Sequence, residues 1–296
     1  MHNRQYERIA DSLLRRRGGD RELSIHVFDV DKVIFNQHLT TNLVLEVAEQ
    51  LPERYEVFDS LRFVRDQAYS GRMPLATLHS LALQYVEHGF FRGLPREVVC
   101  AIAKRLGEGL LVSTNNFPLE ILENLRVLAD RQGDVMVIAI TGAPEEIVLP
   151  FCSRLGFDGV VSSVYECGDD GKYTLGRNLH AAYHKGRIMD ELAEIFGIRW
   201  NGSIGMGNSM RDLGILDRVK YPFAINPDMD LLEVVRDNPR IVYVEDNGER
   251  GARLFRADGQ RRFCEVAYCE TLPPDVARLI MLIPGALTCQ GNCMAH

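Results

Sequence analysis

Apolar positions fall into two regimes along the chain. From Phe35 to about Val112 they repeat with helical spacing: Leu43, Val47 and Leu51 are four apart, and Leu75, Leu78, Leu81 and Tyr85 follow Pro74, a residue suited to a first helical turn. Beyond that stretch, short apolar runs alternate with amphipathic segments. Asn115-Asn116-Phe117-Pro118 starts a helix with Ile121, Leu122, Leu125 and Leu128 on one face, stopped near Gly133. Val135–Ile140 is continuously apolar, as expected for a parallel strand covered on both sides. A helix over Pro144–Leu155 and a strand at Gly159–Ser162 come next, then a helix marked by Ile188, Leu192 and Ile195 and ending at Gly197. Strands at 203–206, 223–225 and 241–244 are separated by helices at 209–217 and 229–237. At the front, residues 1–22 read as a charged helix ending at Gly18-Gly19, and the first strand occupies about 24–30.

This alternation implies βαβ units and an α/β fold, a Rossmann-like doubly wound parallel sheet. The expected division is a core of residues 1–35 and 113–246, an inserted helical unit of residues 36–112, and a C-terminal extension of residues 247–296, where the alternation stops.

Composition narrows the class. A chain of 296 residues, 46% hydrophobic and 25% charged, can bury a sizeable core as a globular protein. A net charge of −7 argues against a nucleic-acid or anionic-membrane binder. The first twenty residues lack an apolar signal core, and no run of about twenty apolar residues exists to span a bilayer. The expected location is cytoplasmic, with the seven cysteines as thiols. Cys264, Cys269, Cys289, Cys293 and His296 offer zinc-binding residue types without the usual Cys-x₂-Cys spacing.

The first strand poses an electrostatic problem. Ile25-His26-Val27-Phe28 runs into Asp29-Val30-Asp31, and two carboxylates at period two share a face. At about 4 Å and an effective dielectric of ~20 they would repel by roughly 4 kcal/mol. Such a pair makes sense where a strand ends and a cation waits. Three further strand ends or helix starts carry answering groups: Thr141-Gly142 before a helix, Lys185-Gly186, and Gly205-Met206-Gly207-Asn208-Ser209-Met210-Arg211-Asp212. Singly these could be a turn, a solvated lysine or a helix cap. Together they fall at one end of one α/β pattern, where such sheets bind ligands.

These residues resemble the motifs of the haloacid dehalogenase (HAD) superfamily, and specifically its phosphoserine-phosphatase-like branch, over residues 22–246. Phe28-Asp29-Val30-Asp31-Lys32-Val33 is similar to the first motif, Thr141 to the second, Lys185 to the third, and Gly207-Asn208-Ser209 with Asp212 to the fourth. The helical unit occupies the place of that branch's small cap. The resemblance implies a Mg²⁺-dependent phosphatase acting on a small phosphomonoester. Asp29 would be the nucleophile and Asp31 the acid–base residue, with Thr141, Gly142 and Lys185 on the phosphate. Asp29, Asp31 (through its backbone carbonyl), Asn208 and Asp212 would be the metal set, Asp212 orienting Lys185 or a metal-bound water. Asn208 stands where aspartate is usual and Lys32 where glycine is common. Phosphoserine-gripping positions fall, counted without gaps, near His38 and Ala82, neither suited to that task. His38 and Arg72, with His79 and His88, are candidate cap contacts, and Tyr69 and Met73 could line an apolar entrance. Phosphotransfer from the same intermediate, or phospho-ligand binding without turnover, are the alternatives.

Overall fold

A computed structural model describes residues 3–16, 23–110, 114–132, 135–248 and 251–282. Its strands are β1 (Ser24–Phe28), β2 (Val135–Pro144), β3 (Gly159–Cys167), β4 (Tyr173–Asn178), β5 (Ile204–Gly207), β6 (Tyr221–Ile225), β7 (Val242–Asp246), β8 (Ala252–Ala257) and β9 (Phe263–Glu265). They form a single sheet in the order β4-β3-β2-β1-β5-β6-β7-β8-β9. The six strands from β3 to β7 are parallel, and β4, β8 and β9 are antiparallel at the two edges. The chain winds outward from β1 through β2 to β3, and on the other side from β5 to β7. The direction therefore reverses between β1 and β5, the crevice where doubly wound sheets take ligands.

Both sheet faces are covered, which explains the continuous apolar run of β2. On one face Ile9 and Leu13 of the helix Asn3–Arg16 pack with Ile25, Val27, Met136, Ile138 and Ile140, together with Ile188, Met189 and Leu192. On the other, Phe28, Phe35, Phe117 and Phe151 share one core with Leu43, Val47, Leu61, Leu78 and Ala82. Those last five belong to the helices Leu39–Gln50, Tyr55–Tyr69 and Leu75–Glu87, which with Arg96–Gly109 lie between β1 and β2 in sequence. The inserted helices thus extend the core of the sheet.

Three expectations need correction. The first strand ends at Phe28, so Asp29 and Asp31 lie beyond it; Asp29 N–H still continues the ladder to the Met206 carbonyl at 2.9 Å, whereas Asp31 sits in the following turn. The apolar run at 159–162 is only the start of β3, which continues to Cys167 and pairs with β4. After Asp246 the parallel alternation stops but the sheet does not, because β8 and β9 extend it. The residues at 283–296, including Cys289, Cys293 and His296, lie outside the described ones. Among the described residues there is no cluster of three or more metal-ligating side chains of the His, Cys, Asp and Glu types. None of the described helices is long and apolar enough to cross a membrane.

Asp246 ties the end of β7 to the helix Asn116–Gln132. Its Oδ2 accepts from Phe117 N–H at 2.7 Å and its Oδ1 from Gly248 N–H at 3.0 Å, and it is buried. Removing that acceptor strands a buried N–H in the first helical turn. Asp246→Ala is expected to lower the unfolding free energy by about 1–3 kcal/mol in urea titration, with Asp246→Asn intermediate.

Candidate active site

The reversal between β1 and β5 is built around one lysine. Lys185 begins the helix Lys185–Phe196 and its side chain is 3% exposed. Its Nζ lies 2.7 Å from Asp29 Oδ1 and 2.6 Å from Asp212 Oδ1. Burial alone would push the ammonium down, but the charges of Asp212 and Asp29 and their hydrogen bonds outweigh it and hold its pKa above the ordinary value. Asp212 is fully buried, and its other oxygen accepts from Asn208 N–H, Ser209 N–H and the Ser209 hydroxyl at 2.9–3.1 Å. Both Asp212 oxygens are thereby engaged, which makes it the holder of Lys185 and of the Asn208-Ser209 turn. A Cβ at Gly207 would overlap the Asp212 side chain, so this glycine permits the approach.

Around the lysine stand the remaining predicted groups. Burial is the main force raising the Asp29 carboxyl, followed by the charge of Asp212, with Lys185 opposing. Asp31 Oδ1 accepts from Leu39 N–H at 2.8 Å, at the first turn of Leu39–Gln50. Burial raises Asp31 to about 6, against the Leu39 bond and the charges of Lys185 and Lys32. Thr141 is fully buried and its Oγ1 accepts from Ala143 N–H at 3.2 Å, while Gly142 carbonyl accepts from Ser163 Oγ at 2.7 Å. Lys32 adopts φ +63°, the left-handed region that favours glycine, so the turn after Asp31 is one that a non-glycine residue enters only with strain. Asn115 closes that turn, its Nδ2 donating to the carbonyls of Lys32 and Val33 at 3.0 and 2.6 Å.

One cleft of about 680 Å³ is lined by Asp29, Asp31, Thr141, Gly142, Lys185 and Asn208. Its opposite wall comes from the inserted helices and includes His38 and His79, stacked with centroids 3.5 Å apart and planes 7° apart. His38 Nδ1 is 4.0 Å from Asp31 Oδ2, and His79 Nδ1 is 2.9 Å from Thr41 Oγ1. Burial, then the charge of His79, lowers His38 to about 3; burial, then Arg211, lowers His79 to about 4. Both rings are therefore neutral near pH 7.

Other cap candidates lie elsewhere. Arg72 is exposed in the turn between Tyr55–Tyr69 and Leu75–Glu87 and does not line the cleft. That turn is reached after a whole helix has carried the chain away, which residue type alone does not show. His88 is exposed, with Nδ1 against the Gln84 carbonyl. Tyr69 lines a recess of about 280 Å³ that shares His38 and His79 with the cleft, while Met73 lines neither. Residues that sequence reasoning passed over also face the cleft: Asn115, Tyr165, Tyr183, Arg211, Asn226 and Asp228. Arg211 lay inside the fourth motif at a variable position, and Asn115-Asn116 was legible only as a helix start.

Residues 26–217 match the family model of the haloacid dehalogenase-like hydrolases. The chain belongs to this family. Among solved structures it is similar to a protein of unknown function from Bordetella pertussis Tohama I, with 16% identity, 73% of this chain and 96% of that chain covered, and a TM-score of 0.54. It is also similar to a HAD family hydrolase from Salmonella enterica subsp. enterica serovar Typhi, with 18% identity, 76% and 68% covered, and a TM-score of 0.50. Both likenesses are of fold. Among curated proteins it is 35% identical over 100 residues to the "Inhibition of morphological differentiation protein" of Streptomyces azureus, which is 33% of this chain. The chain spans only about a third (35%) of the length of that relative.

Hard oxygen donors suit a magnesium ion at this HAD site. Asp29, Asp31 and Asn208 line the same cleft and carry carboxylate, carbonyl and amide oxygens, and Mg²⁺ takes one or two carboxylates with water and substrate oxygens.

Asp31 gives a stability test independent of turnover. Its folded pKa, about 6, lies above the ordinary 3.8, so the native state holds its proton more tightly than the unfolded chain does. The penalty of ionising it is absent below about pH 4 and fully present above about pH 6. Asp31→Asn keeps an acceptor for Leu39 N–H and is expected to raise stability by about 1–2 kcal/mol at pH 7.5, with no gain at pH 4, measured by thermal unfolding.

Proposed function

We propose that this HAD hydrolase is a magnesium-dependent phosphatase that cleaves a small phosphomonoester through an aspartyl-phosphate on Asp29. The observation that carries the reading is the buried Lys185 held between Asp29 and Asp212 at the sheet's reversal point, with Asp31 and Thr141 in the same cleft. Such an arrangement gathers a nucleophile, a fixed positive charge and an acid where a tetrahedral dianion can enter.

In this reading Asp29 attacks phosphorus through the carboxylate oxygen that Lys185 does not hold. The bond from phosphorus to the leaving oxygen breaks as the new Asp29–phosphorus bond forms. Asp31, kept protonated toward neutral pH by burial, gives its proton to the departing alkoxide. The Asp31 carboxylate then takes a proton from water as that water attacks phosphorus, releasing inorganic phosphate and restoring Asp29. Lys185 neutralises phosphoryl oxygens throughout, and Thr141 with Gly142, which line the same cleft, donates to them. The Asp29 carboxylate, the Asp31 backbone carbonyl and the Asn208 amide would hold magnesium, which when bound offsets phosphoryl charge. Asn208 brings no formal charge to that set, so the ion is held less firmly than by an all-aspartate site.

Phosphate release from a panel of phosphomonoesters is expected to require added Mg²⁺, to stop on chelation, and to fall by at least about 10³-fold in Asp29→Asn. Unchanged release in that variant would remove Asp29 from the nucleophile role. The proton on Asp31 sets the alkaline side of the pH dependence: log(kcat/KM) should fall there as the acid form is lost. In Asp31→Asn the residual rate, lower by about 10²–10⁴, should lose that limb.

A further inference from the structure

The phosphoryl end of the cleft is accounted for by the groups above, whereas the end that would meet the leaving group carries a charge pattern of its own. Five basic residues line this cleft. Lys185 is committed to two carboxylates. His38 and His79 are neutral near pH 7. Lys32 turns its Nζ onto the Asn36 carbonyl at 3.0 Å. Arg211 differs from all of them. It lines the cleft from the core side, its guanidinium lies over the Tyr183 ring at 5.1 Å, and its charge is felt by His79 on the opposite wall. No carboxylate pairs with it among the described residues.

An arginine stacked on an aromatic face is oriented before any ligand arrives and keeps its edge donors available. The same cleft carries apolar lining from Leu83, Val86, Tyr165 and Leu179. Glu87, an anion on the inserted helices, faces the same space and accepts from the Tyr183 hydroxyl at 3.4 Å. Tyr183 therefore separates Glu87 from Arg211, its hydroxyl on one and its ring on the other.

We propose that the substrate's leaving group ends in a second anionic group, a carboxylate or phosphate, received by the Arg211 guanidinium across a short apolar spacer. The proposal rests on the phosphatase reading for which end of the substrate is the leaving group. The guanidinium fork matches either anion in bidentate fashion. Contacts of this kind commonly change affinity by tenfold to a hundredfold.

The test uses the full-length chain with Mg²⁺ and four three-carbon phosphomonoesters: propyl phosphate, 3-aminopropyl phosphate, 3-phosphonooxypropanoate and propane-1,3-diyl bisphosphate. At least one of the two anionic esters is expected to exceed propyl phosphate in kcat/KM by tenfold or more, and the amine to fall below it. Arg211→Gln should bring that ratio to near one, and Arg211→Lys should retain part of it. The same esters are titrated calorimetrically into Asp29→Asn protein, with and without Arg211→Gln, which reads the anion preference without turnover. If no ester is hydrolysed but the anionic ones bind tighter in an Arg211-dependent way, the phosphatase reading fails and the anion site stands. Equal kcat/KM for anionic and neutral esters, preference for the amine (which would assign the subsite to Glu87), a preference that survives Arg211→Gln, or no Arg211-dependent binding would each overturn the proposal.

Discussion

A single ammonium group organises this molecule. Lys185 Nζ is buried between Asp29, just beyond the end of β1, and Asp212, beyond the end of β5, on chain segments that come together only in the folded state. Taking the lysine away leaves two buried carboxylates without their cation, typically a loss of about 3–5 kcal/mol. The surrounding glycines serve the same closure. Gly207 leaves room for the Asp212 side chain, and Gly186 and Gly214 bring the backbone after Lys185 against the backbone after Asp212. The motif residues and their glycines are thus parts of one packing problem, solved at the point where strand order reverses.

The second constraint is how the inserted helices are held over that point. Gly93 N–H donates to the Tyr173 carbonyl and Tyr173 N–H to the Leu94 carbonyl, while Arg96 N–H reaches the Gly171 carbonyl. Arg96 also pairs with Glu145 and Glu146 at 3.4 Å, at the start of the helix that follows Thr141–Pro144. The β3–β4 hairpin is therefore bonded to the inserted helices beside the cleft. His38 and Asp31 meet because Leu39 N–H, at the start of the first inserted helix, is bonded to the Asp31 carboxylate.

Much of this was legible in the residues. The parallel strands were readable from continuous apolar runs, because two-sided burial removes the polar positions that would break them. The inserted helices were readable from four-residue spacing. The polar groups at strand ends were conspicuous because a carboxylate or hydroxyl after an apolar strand has few other uses. What was not legible has a common cause. β4 and β9 are the edge strands and β8 lies next to one of them; all three are partly exposed and carry charged or polar residues, so their alternation is diluted. Arg211, Tyr183 and Asn115 acquire their places from tertiary contacts, the first by stacking on a ring 28 positions earlier in the chain. Arg72 failed as a cap contact for the same reason: a suitable side chain on the right segment can still face solvent.

The claim at the centre of this account is that Asp29 becomes covalently phosphorylated. The direct measurement is to quench the Mg²⁺-loaded protein during turnover of a phosphomonoester with borohydride, which reduces an acyl phosphate to an alcohol, and to map the change by peptide mass spectrometry. The account predicts conversion of Asp29 alone, dependent on substrate and absent in Asp29→Asn. Reduction at Asp31 or Asp212, or continued phosphate release with no reduced carboxylate anywhere, would contradict it.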